Sequence, residues 1–492
     1  MKRLLISTEF KHLCREKVTF IIVIFSAVLA ILAFFNGHLF SETQSKVVKT
    51  ALQSQQDSIT TAATQLPERL STTEPVNWWQ DRYDLRAQAF YVMLNYATKP
   101  PLAQSPIAIG QADVLPYYFR MLVQEKQQVV QQYDYVHPLN LLLGQFDLSF
   151  VLIYLLPLLI IGICFNALSN EQHNGQLRLF LLQGGSASQL LTIQILLRGA
   201  IILIPFLLIS NLLFVLVRPH IDPAVLLSFT TIALLYCCFW LALCAWVNSR
   251  GKSAATNAAI LVTCWLSFVV VLPALINTFI THANPTPSRM QYLDSFRAHT
   301  DEAKKAAEKT LAQFFQDHPE LANANGSRSD FATKKIATIS AVEQAMQELD
   351  VQYHQIQQAQ LDKVMWLKYL SVATLTHSML VELSGNGLSR HTAFMSQVQM
   401  HHQALKSFFA KEIVKANQNG DFSPCKGCNA RPTITDLSTL PQFDKHFSTP
   451  NVSFTPLFWL ILLSMLLIYS TFKNVCTLTR PQATGRRGGH ID

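Results

Sequence analysis

The chain has 492 residues, half of them hydrophobic and only 14% charged, with a formal net charge of +8. A soluble protein carries about a quarter charged residues, so charge is missing here from particular blocks, and a wholly soluble chain is excluded. The positive balance does not indicate nucleic-acid binding, because no basic stripe is interleaved with aromatics.

Residues 1–17 hold Lys2, Arg3, Lys11, Arg15 and Lys17 and read as a cytoplasmic amphipathic helix. Blocks without Asp, Glu, Lys or Arg then follow at 18–35, 148–166, 199–217, 224–247, 257–280 and 457–472. Each is close to the roughly 20 residues that cross hydrocarbon as a helix. The fold class is therefore an all-α polytopic membrane protein with six transmembrane helices. The first block is expected to remain as a helix, since no Ala-x-Ala-like cleavage site follows Phe35.

Basic residues between the blocks set the orientation. Arg178 and Arg198 lie between spans two and three, Arg250 and Lys252 between four and five, and Lys473, Arg480, Arg486 and Arg487 after six. The positive-inside rule then places both termini in the cytoplasm and two large segments, 38–147 and 281–453, outside it. The first carries a Gln-rich stretch over 46–64, the Trp78-Trp79 pair and a turn at Pro100-Pro101. The second is expected to be mainly helical, with helices over 301–317 and 331–370 and a loop over 321–330.

Between spans two and three, the cytoplasmic region 167–198 contains the piece 171–185, too polar to cross a bilayer and too apolar for a solvated loop. Leu177, Phe180 and Leu181 recur at helical spacing, while Glu171, His173 and Arg178 keep part of the surface wet. A short amphipathic helix held at the membrane surface by two spans suits a soluble partner. The competing reading is an interfacial helix with snorkelling charges.

Other motifs decide less. Cys425 and Cys428, as Cys-Lys-Gly-Cys, are the cysteines expected outside the cytoplasm and are read as a local disulfide. A metal site completed by His401, His402 or His446, or a redox pair, stands as the alternative. Arg250-Gly-Lys-Ser253 is not a phosphate-binding loop, because Trp246 stands where its first Gly belongs. No hydrolase constellation, resident metal or cofactor is expected. The spans lack the ionisable relays usual in ion-coupled carriers, so energy for any transport must come from another chain. Asn166, Asn211 and Asn277 are expected to donate hydrogen bonds between helices.

Glu171-x-x-x-Gly175-x-Leu177-Arg178-Leu179, after a basic helix, a span and a large external insertion, resembles the membrane subunits of ABC-2 type transporters. Asn140-Leu-Leu-Leu-Gly144-Gln-Phe-Asp147, Leu155-Leu-Pro157-Leu-Leu-Ile160, Ile107-Ala-Ile-Gly110-Gln-Ala-Asp113-Val-Leu-Pro116 and Leu383-Ser-Gly-Asn-Gly-Leu-Ser-Arg390-His-Thr-Ala-Phe394 are similar to a bacterial subgroup with two large periplasmic segments. The resemblance covers nearly the whole chain. It implies an inner-membrane permease, not itself an enzyme, in which Glu171, Gly175, Leu177, Arg178 and Leu179 form the coupling helix. The implied partners are cytoplasmic ATPase subunits, a second permease copy or paralogue, a periplasmic partner and membrane lipid. The implied activity is ATP-driven export, with mechanical transmission to periplasmic partners as the alternative.

Overall fold

The computed structural model describes residues 2–72, 74, 76–125, 145–286, 288–319, 331–422, 431–444 and 455–478. The chain is an all-α polytopic membrane protein. Among the described residues, six helical stretches are long and apolar enough to cross a bilayer. The expected loop 321–330 lies outside the described residues.

Helix α1 (Lys2–Arg15) stops at the extended residue Glu16, and α2 (Lys17–Ser71) runs on for 55 residues. The expected span at 18–35 and the Gln-rich stretch at 46–64 thus lie on one helix. No Pro or Gly interrupts the polar half before Pro67, and Gln, Lys and Ala are good helix formers. At 1.5 Å per residue α2 is roughly 80 Å long, well beyond the bilayer thickness. Its far end is fixed by Arg69, whose guanidinium donates to Asp81 at 2.8 Å, and by Tyr83, whose hydroxyl donates to the Ala62 carbonyl at 2.6 Å.

The second span comprises Leu148–Phe150, a wide π-type turn at Val151–Leu155, and α3 (Leu156–Cys164). Two short helices follow, α4 (Ser169–His173) and α5 (Gln176–Leu182). Next come α6 (Ala187–Val217) and α7 (Pro223–Asn248), then α8 (Ala254–Leu266) and α9 (Leu272–Ala283), which share one span. Helix α6 takes in the last part of the expected 167–198 surface region, so Arg198 lies within it.

Proline explains the shape of two spans. Pro157 has no N–H for the carbonyl four residues earlier, and the helix widens before it. That carbonyl, of Ile153, instead accepts from the buried Tyr236 hydroxyl of α7 at 2.9 Å. Pro273 follows the same kind of turn at Ser267–Val271, where the Phe268 carbonyl accepts from Ser371 Oγ at 2.6 Å. Helix α7 carries the fully buried Tyr236 and Trp240 and packs on neighbouring spans.

The extramembrane domain is mainly helical: α10 (Arg289–Lys305), α11 (Ala307–Asp317), α12 (Phe331–Leu367), α13 (Val372–Ser384) and α14 (Leu388–Gln418). The helix expected over 301–317 is in fact two, broken at Ala306, and both pack on α12. One small antiparallel pair, β1 (Tyr96–Thr98) and β2 (Tyr118–Arg120), aligns Ala97 with Phe119. Its core joins Phe90, Phe119, Phe394 and Phe409 to Ala62 of α2. The last span is α15 (Thr455–Leu478).

Helix α13 joins the region 281–453 to the spans. Its Leu375, Leu380 and Leu383 belong to the same continuous core as the membrane helices. At 13 residues it is too short to cross, and it packs instead among α7, α15 and the turn at Ser267–Val271.

Candidate functional site

The piece between spans two and three is an elbow rather than the single helix expected over 171–185. Its entry is pinned by two buried asparagines. Asn248 Nδ2 donates to the Cys164 and Cys244 carbonyls, both at 2.9 Å, and its Oδ1 accepts from the Leu168 N–H at 3.3 Å. Asn257 Nδ2 donates to the Phe165 carbonyl at 3.3 Å. Buried amides of this kind are stabilising only when their partners are present, and these hold the elbow to spans four and five.

The bend itself is Gly175, with φ +72°. A Cβ there would meet nothing within 4 Å, so the glycine serves conformation and not packing. Helix α5 then turns Leu177 inward and lays Phe180 and Leu181 against the membrane core. At its end the Gly184 N–H donates to the Leu181 carbonyl and the Gly185 N–H to the Phe180 carbonyl, both at 3.0 Å. A Cβ on Gly185 would come within 2.4 Å of the Phe180 ring.

The five residues expected to act together therefore divide. Glu171, on α4, turns toward the bundle, where it accepts from Gln194 Nε2 at 3.4 Å. Arg178 is exposed, as are Leu179 (62%) and Leu182 (78%). Leu177 anchors and Gly175 bends. The outward face of α5 is thus one cation beside two leucines, while the charge of Glu171 belongs to the packing beneath.

Helix α1 completes this end. Arg198 donates to the Ile163 carbonyl at 2.9 Å and to Asn166 Oδ1 at 3.1 Å, and it pairs with Glu9 at 3.4 Å. A groove of about 230 Å³ lies between Leu5 and Glu9 of α1 and Glu171 and Phe180 of the elbow. The Glu9–Arg198 pair escaped the sequence reading, which used Arg198 only for orientation. Of the three expected interhelical asparagines, Asn211 bridges to Thr230 at 3.1 Å and Asn166 accepts from Arg198, whereas Asn277 is exposed.

At the opposite end, described parts of three of the resembling stretches converge on a neck. Asp147 caps the second span, accepting from the Phe150 N–H at 2.8 Å and from the Ile109 N–H at 2.7 Å. Asn386 donates to the Ala108 carbonyl at 2.7 Å, and Arg390 to the Pro100 carbonyl at 2.7 Å. Two glycines permit close approach. A Cβ on Gly37 of α2 would lie 2.7 Å from the Pro106 carbonyl oxygen, and one on Gly385 would lie 2.4 Å from Leu102 Cδ1.

The neck also buries charge. Lys99 Nζ lies 3.3 Å from His391 Nδ1. Burial, with Arg390 nearby, lowers the Lys99 pKa to about 8. Burial and the Lys99 charge lower His391 to about 4, and burial lowers Arg390 to about 10. Burial raises the Asp147 carboxyl against its hydrogen bonds and the nearby His377.

Cys425 and Cys428 lie outside the described residues, as does His446. His401 and His402 are buried and engaged: His401 Nε2 lies 2.9 Å from Asn95 Oδ1, and His402 Nε2 lies 2.7 Å from the Gln124 carbonyl. Among the described residues no cluster of three His, Cys, Asp or Glu could hold a metal ion.

Comparison with known proteins gives one family match. A family described as "Domain of unknown function (DUF3526)" covers residues 289–422. No curated protein and no solved structure matches the chain. The matched stretch spans α10 to α14, together with Asn386 and Arg390 of the neck.

Proposed function

We propose that this chain is the permease subunit of an ATP-driven, ABC-2 type exporter of the bacterial inner membrane, with both termini cytoplasmic. The observation that carries this reading is the outward face of α5. Arg178, Leu179 and Leu182 stand exposed on an elbow that its inward residues seat on the bundle. A separate ATPase docking there would move the elbow as a unit, and Asn248 and Asn257 would pass that motion to spans four and five. The permease would work beside a second copy or a paralogue.

The test is co-purification with the partner ATPase and coupled hydrolysis in proteoliposomes. An Arg178→Glu, Leu182→Asp variant changes only exposed positions and should insert and elute normally while losing at least tenfold of the coupled activity. Full activity in that variant would overturn the docking assignment.

A second reading, ATP-driven mechanical transmission to periplasmic partners, is favoured by the unbroken α2. One helix links the α1 end of the bundle to the Arg69–Asp81 contact in the extramembrane domain. Lys46→Pro would break the rod outside the membrane at an exposed position. Transmission predicts loss of function in that variant with no solute moved by the wild type. Export predicts solute flux that stops when the ATPase is disabled.

A further inference from the structure

The lower end of α12 carries a surface that the extramembrane domain itself does not explain. Met365 is 56% exposed, Trp366 81% and, in the turn that follows, Leu370 58%. A largely exposed tryptophan flanked by two exposed aliphatic side chains is an unusual surface for water to face.

Three contacts fix its height. Gln360 Nε2 donates to the Asn284 carbonyl, just past the end of α9, at 2.7 Å. From there α12 descends alongside α9, and Ser371 Oγ reaches the Phe268 carbonyl inside the fifth span at 2.6 Å. Between them, Trp459 of α15 donates through Nε1 to the Tyr369 carbonyl at 3.0 Å, with the two rings edge to face at 6.2 Å. The end of α12 therefore lies level with the first two turns of the sixth span. The neighbouring surface of that span is apolar and open, with Phe458 71% and Leu462 47% exposed.

We infer that Met365, Trp366 and Leu370 sit in the headgroup–acyl boundary of the bilayer, as a continuation of the lipid-facing surface of α15. Indole and phenol rings favour this layer, where an apolar body meets a wet edge. Trp366, Tyr369 and Trp459 form a local aromatic belt, and α12 becomes a helix that rests one end on lipid. This contact does not depend on the ATPase reading.

The experiment uses the full chain in phosphatidylcholine vesicles whose acyl chains carry bromine either near the headgroup or near the chain end. Subtracting the emission of Trp366→Phe from that of wild type isolates Trp366. The expected result is quenching several-fold stronger with bromine near the headgroup, and little quenching by aqueous iodide. Quenching by iodide but not bromolipid would place the residue in water. Quenching by neither would place it against protein, such as a second copy of the chain. Either result overturns the inference, as would equal quenching at both bromine depths. Leu370→Trp in the Trp366→Phe background should respond more strongly to the deeper bromine, and an unchanged depth preference would also count against the inference.

Discussion

Gly175 at one end of the bundle and Gly37 at the other serve opposite purposes. At the elbow, Gly175 holds a left-handed turn with open space where its Cβ would be. At the neck, Gly37 lies so close to the Pro106 backbone that no side chain fits, and Gly385 packs on the Leu102 side chain. The elbow is a bent piece resting on the bundle through α5 and a few buried amides, with leucines left outside. The neck is an interlocked joint of backbone carbonyls, buried amides and buried cations. An end proposed to receive a partner can keep a free face, whereas an end that holds two parts of one chain together cannot.

That contrast can be broken or sharpened by substitution. The largest effect is expected beneath the elbow, at Arg198→Ala, which strands Glu9 in a largely buried setting and frees the Ile163 carbonyl and Asn166. Removing one partner of such a pair costs about 3 kcal/mol, read as a large fall in thermal midpoint in detergent. Gly37→Val should cost about 2 to 3 kcal/mol, because the atoms in its way are Pro106 backbone. Chromatography should show a loosened extramembrane domain.

Gly175→Ala should cost only about 1 kcal/mol, the strain of a left-handed residue without a clash. Its main effect should fall on coupled activity and not on the melting temperature. If Gly175→Ala destabilised as much as Gly37→Val, the elbow would be an interlocked joint too and the contrast would fail.

A further effect is a pH dependence at the neck and, through His401 beside Phe443, in the core of the extramembrane domain. Folded His391 and His401 take up protons only near pH 4, against an ordinary value of 6.5, because desolvation of the half-buried His391 and the buried His401 disfavours the charged ring and each faces a neighbouring cationic or titratable group. Between those values the unfolded chain binds more protons, so stability should fall as pH drops from about 6.5 toward 4. It should be flat above pH 7 as far as these groups are concerned. A His391→Asn variant should show a shallower acid slope in melting curves, and an identical slope would remove His391 from the joint.

Much of this architecture is legible in residue order alone. Six blocks without charge mark six apolar helical stretches, because a charged side chain in hydrocarbon is costly enough to leave a visible gap. The Leu177–Phe180–Leu181 spacing likewise marks the inward face of α5. What escapes is whatever depends on partners distant in sequence. Asn248 and Asn257 look like ordinary polar residues at span ends until the carbonyls they hold are known. Helix α13 has the length of a surface helix, and only packing shows that it shares one hydrophobic core with the spans. The polar half of α2 differs in composition from its apolar half, which invites a boundary. Helix formation does not depend on that difference, so no boundary exists.

The two proline turns carry a consequence for biogenesis. The carbonyls of Ile153 and Phe268 are satisfied by hydroxyls that occur later in the chain, Tyr236 and Ser371. When the second span first enters the bilayer, its Ile153 carbonyl lacks that hydroxyl partner, and an unsatisfied backbone group in hydrocarbon costs several kcal/mol. The fourth span must arrive to relieve it, and the fifth waits in turn for the return of the extramembrane domain. The order of synthesis thus leaves each kinked span incomplete until a specific later segment docks, so a truncation after span three or span five would leave a kinked helix without its closing hydroxyl.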